Sequence, residues 1–226
     1  MRRIVAFVGY ISPNYLLWSM GFLGNIIQKH LTHQANKHFN TYKEGLDLEV
    51  LRRYCEEHGE KRTFLRGEVL ECEGEPSQWL GHVEKGCFKY SVRNLSEQKD
   101  YITGFAFTDE FVADFPNCME HLCANVSIIA QTTSKVYLID GKELKRLFEM
   151  NKYLKEKTSE IYKHLFLQIY SQHLDSYRLT VKERYIQLLN RCPQIVQQIN
   201  LKDIASFLKV TPTTISKIRK EITFSV

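Results

Sequence analysis

The sequence predicts an α+β protein with an antiparallel β domain, a long helix and a small C-terminal helical domain, in that order. Residues 61–138 alternate apolar and polar side chains in short runs, and glycine or acidic turns separate these runs at intervals of about ten residues. Residues 152–177 instead carry apolar side chains at helical spacing. Beyond residue 179, helix start signals recur at short intervals. This succession of patterns predicts the fold class.

The composition is that of an ordinary globular chain. The 226 residues are 43% hydrophobic and 25% charged, which leaves room for one large or two small domains. Six cysteines are scattered along the chain without a C-x-x-C pair. We therefore expect free, mostly buried thiols in a protein of the reducing cytoplasm.

The first 40 residues form an extension whose structure the pattern does not define. The stretch from Ile4 to Ile27 contains no charged side chain and is long enough to cross a bilayer. Pro13, Gly21 and Asn25 interrupt it, and the flanking charges barely favour either orientation. A peripheral amphipathic extension, a membrane anchor and an upstream stretch with Met20 as the true start all stay open. We favour the extension, since nothing else in the chain requires a membrane.

The β domain follows this extension. A mixed helical pattern covers residues 23–58, and the period changes from helical to alternating at Lys61. Turns are expected at Arg66-Gly67 and at Gly74-Glu75. The expected strands are Thr63 to Leu65, Val69 to Glu71, Trp79 to Val83, Phe88 to Val92, Tyr101 to Phe107, Val126 to Ala130 and Lys135 to Leu138. Strands of this length and spacing are typical of an antiparallel sandwich or barrel.

The long helix, expected from about Lys152 to Tyr177, has a wider apolar surface than one β domain can cover. It would measure about 38 Å at about 1.5 Å per residue. Two neighbouring stripes run along it, one of Leu154, Thr158, Ile161, Leu165 and Ile169, the other of Tyr162, Phe166, Tyr170, Leu174 and Tyr177. The near-heptad spacing suits a seam between two helices, although a core helix within one chain stays open.

The last domain carries the pattern of a helix-turn-helix. Thr180 to Glu183 is a capping box, so a helix starts there and ends before Pro193. Asn200 can cap a second helix, and Thr211-Pro212 is a start signal for a third. The inward faces of the last two helices are Leu201, Ile204, Ala205, Leu208, Ile215, Ile218 and Ile222. Two short helices joined by a tight turn place the second helix in the DNA major groove.

The excess positive charge of the chain lies in this last domain. Residues 180–226 hold eight Lys and Arg against three acidic residues, whereas the rest of the chain holds 23 of each. The whole net charge of +5 therefore belongs to the helix-turn-helix domain, as neutralisation of DNA phosphates requires.

The run L-K-D-I-A-S-F-L-K-V-T-P-T-T-I-S-K resembles the C-terminal DNA-binding domain of the Crp-Fnr family of bacterial transcription regulators. The runs K-R-T-F-L-R-G-E-V-L, V-E-K-G-C-F-K-Y and A-Q-T-T-S-K-V-Y-L-I-D resemble the family's cyclic-nucleotide-binding β-roll. Together the two resemblances cover about residues 40–222 in the family's domain order. One departure is Lys209, which stands where the family's turn often has glycine and must accept an unusual dihedral angle or a different turn.

The resemblance implies an antiparallel β-roll of the double-stranded β-helix or jelly-roll type, a dimerisation helix, and a helix-turn-helix domain with a short or missing wing. The expected domains are the extension at 1–40, the β-roll at 41–150, the dimerisation helix and hinge at 151–178, and the DNA-binding domain at 179–226. It also implies a sequence-specific transcription regulator that binds double-stranded DNA as a homodimer paired through residues 152–177. RNA polymerase stays open as a further partner.

The family motif also assigns the DNA contacts. The residues expected to read bases are Thr213, Thr214, Ser216 and Lys217. The residues expected at DNA phosphates are Asn200, Lys202, Thr211 and Lys220. Thr213 stands where many members have an acidic residue, so the family's usual half-site is not expected.

The family's phosphate-binding cassette has lost its arginine in this chain. Alignment through Phe111 and the strand ending at Ala130 puts Ala113-Asp114 and Ala124-Asn125 where the family's carboxylate and arginine stand. A buried phosphate without that arginine would be an unpaired, desolvated charge. We therefore expect a degenerate effector pocket at Ala113, Asp114, Ala124 and Asn125 that binds neither cyclic AMP nor cyclic GMP. Any other small-molecule effector is unidentified.

The residue pattern gives no indication of an enzyme, a metal site or a cofactor. The eight histidines include no H-x-H pair, which a cupin metal site would need. Iron–sulfur sensors of the family carry a cysteine cluster before the β-roll, and this chain has Cys55 alone there. Haem binding through Cys72, Cys87 or His82 has no support in the pattern. The alternative to a DNA-binding regulator is a small-ligand or redox sensor whose helical tail contacts protein.

Overall fold

The computed structural model describes residues 38–224, so the uncharged stretch from Ile4 to Ile27 lies outside the described residues. The strands are β1 (Glu60–Phe64), β2 (Val69–Glu71), β3 (Trp79–Lys85), β4 (Cys87–Asn94), β5 (Lys99–Phe107), β6 (Phe111–Ala113), β7 (Ser127–Ala130) and β8 (Ser134–Asp140). The helices are α1 (Tyr42–Gly45), α2 (Glu49–His58), α3 (Asn117–Glu120), α4 (Gly141–Met150), α5 (Lys152–Arg178), α6 (Val181–Arg191), α7 (Ile195–Gln198), α8 (Leu201–Phe207) and α9 (Pro212–Phe224). Within 38–224, no helix has the length and apolar composition that a membrane span needs.

The strands form two four-stranded antiparallel sheets, in the orders β1-β8-β3-β6 and β2-β7-β4-β5. Apolar side chains that point inward from both sheets fill the space between them: Phe64, Val83, Phe88, Ala106, Val112, Ile128, Ala130, Val136 and Leu138. The predicted turns are present, with Gly67 and Gly74 at φ values of +91° and +85° that favour glycine. This arrangement confirms the predicted β-roll. Strand β6 was not predicted, because three residues are too few to show alternation.

The long helix α5 confirms the helix predicted from the apolar stripes. The Asn151 side chain caps it by accepting a hydrogen bond from the Leu154 backbone N–H at 3.0 Å. Leu154 and Ile161 are buried against the outer face of the first sheet, together with Leu51 and Cys55 of α2. This contact attaches the N-terminal half of α5 to the β-roll.

The C-terminal domain begins at the predicted capping box. Thr180 Oγ1 accepts a hydrogen bond from the Glu183 N–H at 3.3 Å, and the Glu183 carboxylate accepts one from the Thr180 N–H at 2.8 Å. The core of this domain contains Tyr185, Leu188, Cys192, Ile195, Ile199, Ile204, Ala205, Leu208, Ile215 and Ile218. It is continuous with Ile102, Phe105 and Phe107 on β5 of the β-roll. The two domains therefore share one apolar interface.

Candidate nucleic-acid interface

Helices α8 and α9 form the predicted helix-turn-helix, and each start signal works as expected. Asn200 Oδ1 accepts a hydrogen bond from the Asp203 N–H at 2.8 Å and caps α8. Thr211 Oγ1 accepts one from the Thr214 N–H at 3.2 Å, just before Pro212 begins α9. Between them Lys209 has a φ of 57°, so it adopts the left-handed conformation that glycine has in related turns.

We call α9 the recognition helix, because its polar face is directed away from the rest of the domain. Ile215 and Ile218 are buried in the domain core, which fixes the inner face of the helix. Thr213, Lys217 and Lys220 are exposed, and their spacing of four and three residues puts them on one face. A helix of 13 residues is about 20 Å long at about 1.5 Å per residue and fits a major groove about 12 Å wide.

The four residues expected to read bases occur together on this helix. Thr213 and Lys217 are exposed, whereas Thr214 and Ser216 are half-buried at the edges of the polar face. The Thr214 hydroxyl lies 2.9 Å from the Thr211 hydroxyl, so it is oriented by the start of the helix. The base-reading role of each of these residues stays a prediction.

The four residues expected at phosphates differ in what their side chains already contact. Lys202 and Lys220 are exposed. The Asn200 side chain is used internally, because its Oδ1 caps α8 and its Nδ2 donates to Asp203 Oδ2 at 2.8 Å. The Thr211 hydroxyl is likewise used in capping α9. We therefore expect Asn200 and Thr211 to shape the turn and the two lysines to supply the charge.

The structure adds two features of this domain that the sequence analysis did not identify. Asp203 is only 7% exposed, and its Oδ2 lies 3.1 Å from Lys89 Nζ of strand β4. The Asp203 carboxylate is therefore paired and buried, and it does not lie on the exposed basic surface of the domain. Arg219 points inward, where its Nε donates a hydrogen bond to the Tyr185 hydroxyl at 2.7 Å. Sequence spacing gives no sign of either contact, because the partners are far apart along the chain.

The residues of the predicted degenerate pocket also come together. Asp114, at the end of β6, is 9% exposed, and its Oδ2 accepts a hydrogen bond from the Asn125 backbone N–H at 2.7 Å. The same oxygen accepts one from Asn117 Nδ2 at 3.0 Å. Ala113 and Ala124 flank this contact, and the Ala113 N–H donates to the Tyr90 hydroxyl at 3.3 Å. The Asp114 carboxylate thus already accepts the hydrogen bond that the Asn125 backbone N–H can donate.

From Tyr162 onward, α5 presents apolar side chains to solvent. Tyr162, Phe166, Ile169, Tyr170 and Tyr177 are all exposed, and Phe166 is 62% exposed. The rings of Phe166 and Tyr170 stack with their centroids 5.5 Å apart. Exposed apolar side chains on one helix are unusual for a surface that faces water alone.

Several titratable groups of the described residues are buried. Among residues 38–224, no three His, Cys, Asp or Glu side chains converge in a way that could hold a metal ion. Burial raises the pKa of Cys55 and of Cys118 to about 12 and that of Cys192 to about 11, so these thiols are protonated and unreactive near neutral pH. His82 is buried in β3, and burial lowers its pKa below the ordinary value.

The fold of this chain is similar to that of several solved structures. No family model matches the chain, and no curated protein matches it. The structure of FixK2 from Bradyrhizobium japonicum is similar, with a TM-score of 0.63 and 16% identity over 74% of this chain and 85% of that one. CLP from Xanthomonas campestris, described as a c-di-GMP-responsive global regulator, gives a TM-score of 0.57 and 14% identity over 79% of this chain and 93% of that one. A protein from Eubacterium rectale described as a transcriptional regulator of the Crp/Fnr family gives a TM-score of 0.57 and 13% identity over 83% of this chain and 88% of that one. At these identities the similarity establishes the fold, and it confirms the predicted fold class.

Proposed function

We propose that this chain, which has the fold of the Crp-Fnr regulators, is a sequence-specific DNA-binding transcription regulator that acts as a homodimer in the cytoplasm. The observation that carries the proposal is the outer face of the recognition helix, where Thr213, Lys217 and Lys220 are exposed above a buried isoleucine stripe. A helix that is packed on its apolar face and exposes hydroxyl and ammonium groups on the opposite face offers hydrogen-bond donors to base edges and cations to phosphates. The location of the chain's whole net charge in this domain supports the same function.

The proposed dimer pairs through α5. Its exposed apolar surface contains Phe166, Ile169 and Tyr170, and a second copy of α5 would bury these side chains in a symmetric seam. Two recognition helices related by a two-fold axis would then bind half-sites about 34 Å apart, which is one turn of DNA.

We further propose that the effector pocket does not bind cyclic AMP or cyclic GMP. The family's arginine is replaced by Asn125, and the Asn125 backbone N–H is already bonded to the Asp114 carboxylate. An incoming phosphate would meet a like charge and lack a counter-charge, at a cost of several kcal/mol. The β-roll therefore either senses another ligand or serves as a scaffold for dimerisation and partner contacts.

The test of this proposal is selection of bound duplexes from a random pool, followed by affinity measurements on the enriched sequence. Lys217→Ala should lower discrimination between the enriched duplex and a scrambled one by about 1–3 kcal/mol, because a base contact is lost. Lys202→Ala, the matched lysine on α8, should weaken binding to both duplexes about equally. A pool that yields no enriched sequence would refute sequence-specific binding and favour a helical domain that contacts protein.

A further inference from the structure

Five consecutive residues, Phe39–Lys43, contact three separate parts of the molecule, and we call them the wedge segment. Phe39 is only 2% exposed. Its ring packs against both Phe105 of β5 and Phe207 of α8, with each centroid 5.5 Å away, and those two rings also contact each other with centroids 5.8 Å apart. The Arg191 guanidinium of α6 lies 4.7 Å from the same ring centroid on the side of the DNA-binding domain. One side chain therefore bridges the β-roll and the DNA-binding domain.

Asn40 connects the wedge segment to a buried carboxylate in the turn between β5 and β6. Its Nδ2 donates hydrogen bonds to Glu110 Oε2 at 2.7 Å and to the Phe105 carbonyl at 3.0 Å, and its backbone N–H donates to Glu110 Oε1 at 3.2 Å. Glu110 is 1% exposed, and burial raises its pKa. Glu110 Oε2 also accepts a hydrogen bond from the Phe107 N–H at 2.9 Å, so departure of Asn40 would remove the donor to Oε1 and one of the two donors to Oε2. A buried carboxylate oxygen would then lack a partner, which disfavours that departure.

Thr41 connects the wedge segment to the long helix. Its backbone N–H and its hydroxyl both donate to Gln168 Oε1 of α5, at 2.8 and 3.1 Å. Gln168 Nε2 donates in return to Asn40 Oδ1 at 3.1 Å. The next residues return to the β-roll, since the Tyr42 hydroxyl accepts from the Phe111 N–H and Lys43 Nζ lies 2.7 Å from Asp109 Oδ2.

Two polar contacts beside Phe39 complete the interface between the domains. Lys89 of β4 pairs with Asp203 of α8, and both side chains are largely buried. The Ile102 backbone N–H of β5 donates to Ser206 Oγ of α8 at 3.0 Å. Helix α8 is therefore held on the β-roll through Asp203, Ser206 and Phe207, and the recognition helix packs on α8. The orientation of the recognition helix is set at this interface as well as at the hinge after α5.

We propose that the wedge segment is a positioning element that holds the recognition helix in its DNA-binding orientation and couples that orientation to α5. Packed side chains of this kind have discrete arrangements and do not deform continuously. A shift of α5 at Gln168, or of the turn at Glu110, would act directly on Thr41 or Asn40, which are bonded to those residues and follow Phe39 in the chain. A signal can therefore reach the DNA-binding domain through this segment without using the degenerate pocket.

The test compares Phe39→Leu with Phe64→Leu, a matched control that removes a buried ring from the β-roll core only. The first readout is hydrogen exchange at the Ile102 amide, which does not depend on DNA. We expect Phe39→Leu to speed this exchange by about tenfold relative to the control, because the local interface opens. Gln168→Ala, which removes the Thr41 bonds without touching the core, should act in the same direction by about threefold.

The second readout, affinity for the selected duplex, rests on the proposed function. We expect Phe39→Leu to weaken binding by about fivefold against the control, because two loosened recognition helices must be ordered on binding. Ile102 exchange no faster in Phe39→Leu than in Phe64→Leu would overturn the proposal, and so would tighter DNA binding by Phe39→Leu. If Ile102 exchanges faster in Phe39→Leu than in Phe64→Leu but the wild-type protein binds no duplex, the role of the wedge segment at the interface is supported and the proposed DNA binding is rejected.

Discussion

The dimer seam gives a prediction whose size follows from the exposure of one ring. Phe166 is 62% exposed in the single chain. A Phe side chain covers about 200 Å², so about 120 Å² of it is available for burial by a partner helix. At about 25 cal/mol per Å², complete coverage contributes about 3 kcal/mol from each copy.

Substitution of this ring acts twice in a symmetric dimer. Because alanine keeps part of the contact, Phe166→Ala should cost about 2 kcal/mol per copy and about 4 kcal/mol per dimer. The dissociation constant should then rise by roughly a thousandfold. Sedimentation equilibrium over a range of protein concentrations measures this constant directly.

The matched control is Leu95→Ala, which removes a 76% exposed apolar side chain from the turn between β4 and β5. It should leave the dissociation constant within about twofold, because a surface substitution away from an interface has little effect. An unchanged constant for Phe166→Ala, or an equal loss for both variants, would refute the α5 seam.

Three further predictions concern the effector pocket, a buried histidine and a helix cap. Calorimetric titration with cyclic AMP or cyclic GMP should show no heat, because the Asp114 carboxylate already occupies the backbone donor; a micromolar dissociation constant for either nucleotide would contradict this. Burial lowers the pKa of folded His82 below the ordinary value of 6.5, so the unfolded chain binds the proton first as pH falls. The free energy of unfolding should therefore decline as pH drops below about 6.5. Urea titrations at several pH values should show a smaller decline for His82→Gln than for the wild type. An equal decline in the two proteins would show that His82 does not contribute. Asn200→Ala should lower the free energy of unfolding of the C-terminal domain by about 1 kcal/mol, and no loss would mean that the cap is dispensable.

Local signals in the sequence account for most of the C-terminal domain. The capping residues Thr180, Asn200 and Thr211 each accept from the N–H group three positions further on, so the chemistry that starts each helix is contained in a short run of sequence. The resemblance to the family's turn left two outcomes for Lys209, an unusual dihedral angle or a different turn, and the φ of 57° is the first of these.

Contacts between distant segments could not be predicted in this way. Phe39 meets Phe207, and Lys89 meets Asp203, across more than a hundred residues of chain. Neither pair leaves a periodic pattern, since each residue alone looks like an ordinary core aromatic or surface charge. The sequence predicts that Asn125 stands where the family motif has an arginine, whereas the hydrogen bond from the Asn125 backbone N–H to the Asp114 carboxylate is visible only in the structure.

The central claim, that the C-terminal domain binds DNA, is tested most directly by the salt dependence of affinity for the selected duplex. Lys202 and Lys220 of two protomers would contact at least four phosphates, which predicts a slope of log K against log salt of about −3.6 or steeper. Lys202→Ala should reduce the magnitude of that slope by about 1.8, because a dimer loses two phosphate contacts. Lys142→Ala, an exposed lysine on α4, should leave it unchanged. Binding that does not vary with salt, or no binding at all, would contradict the account.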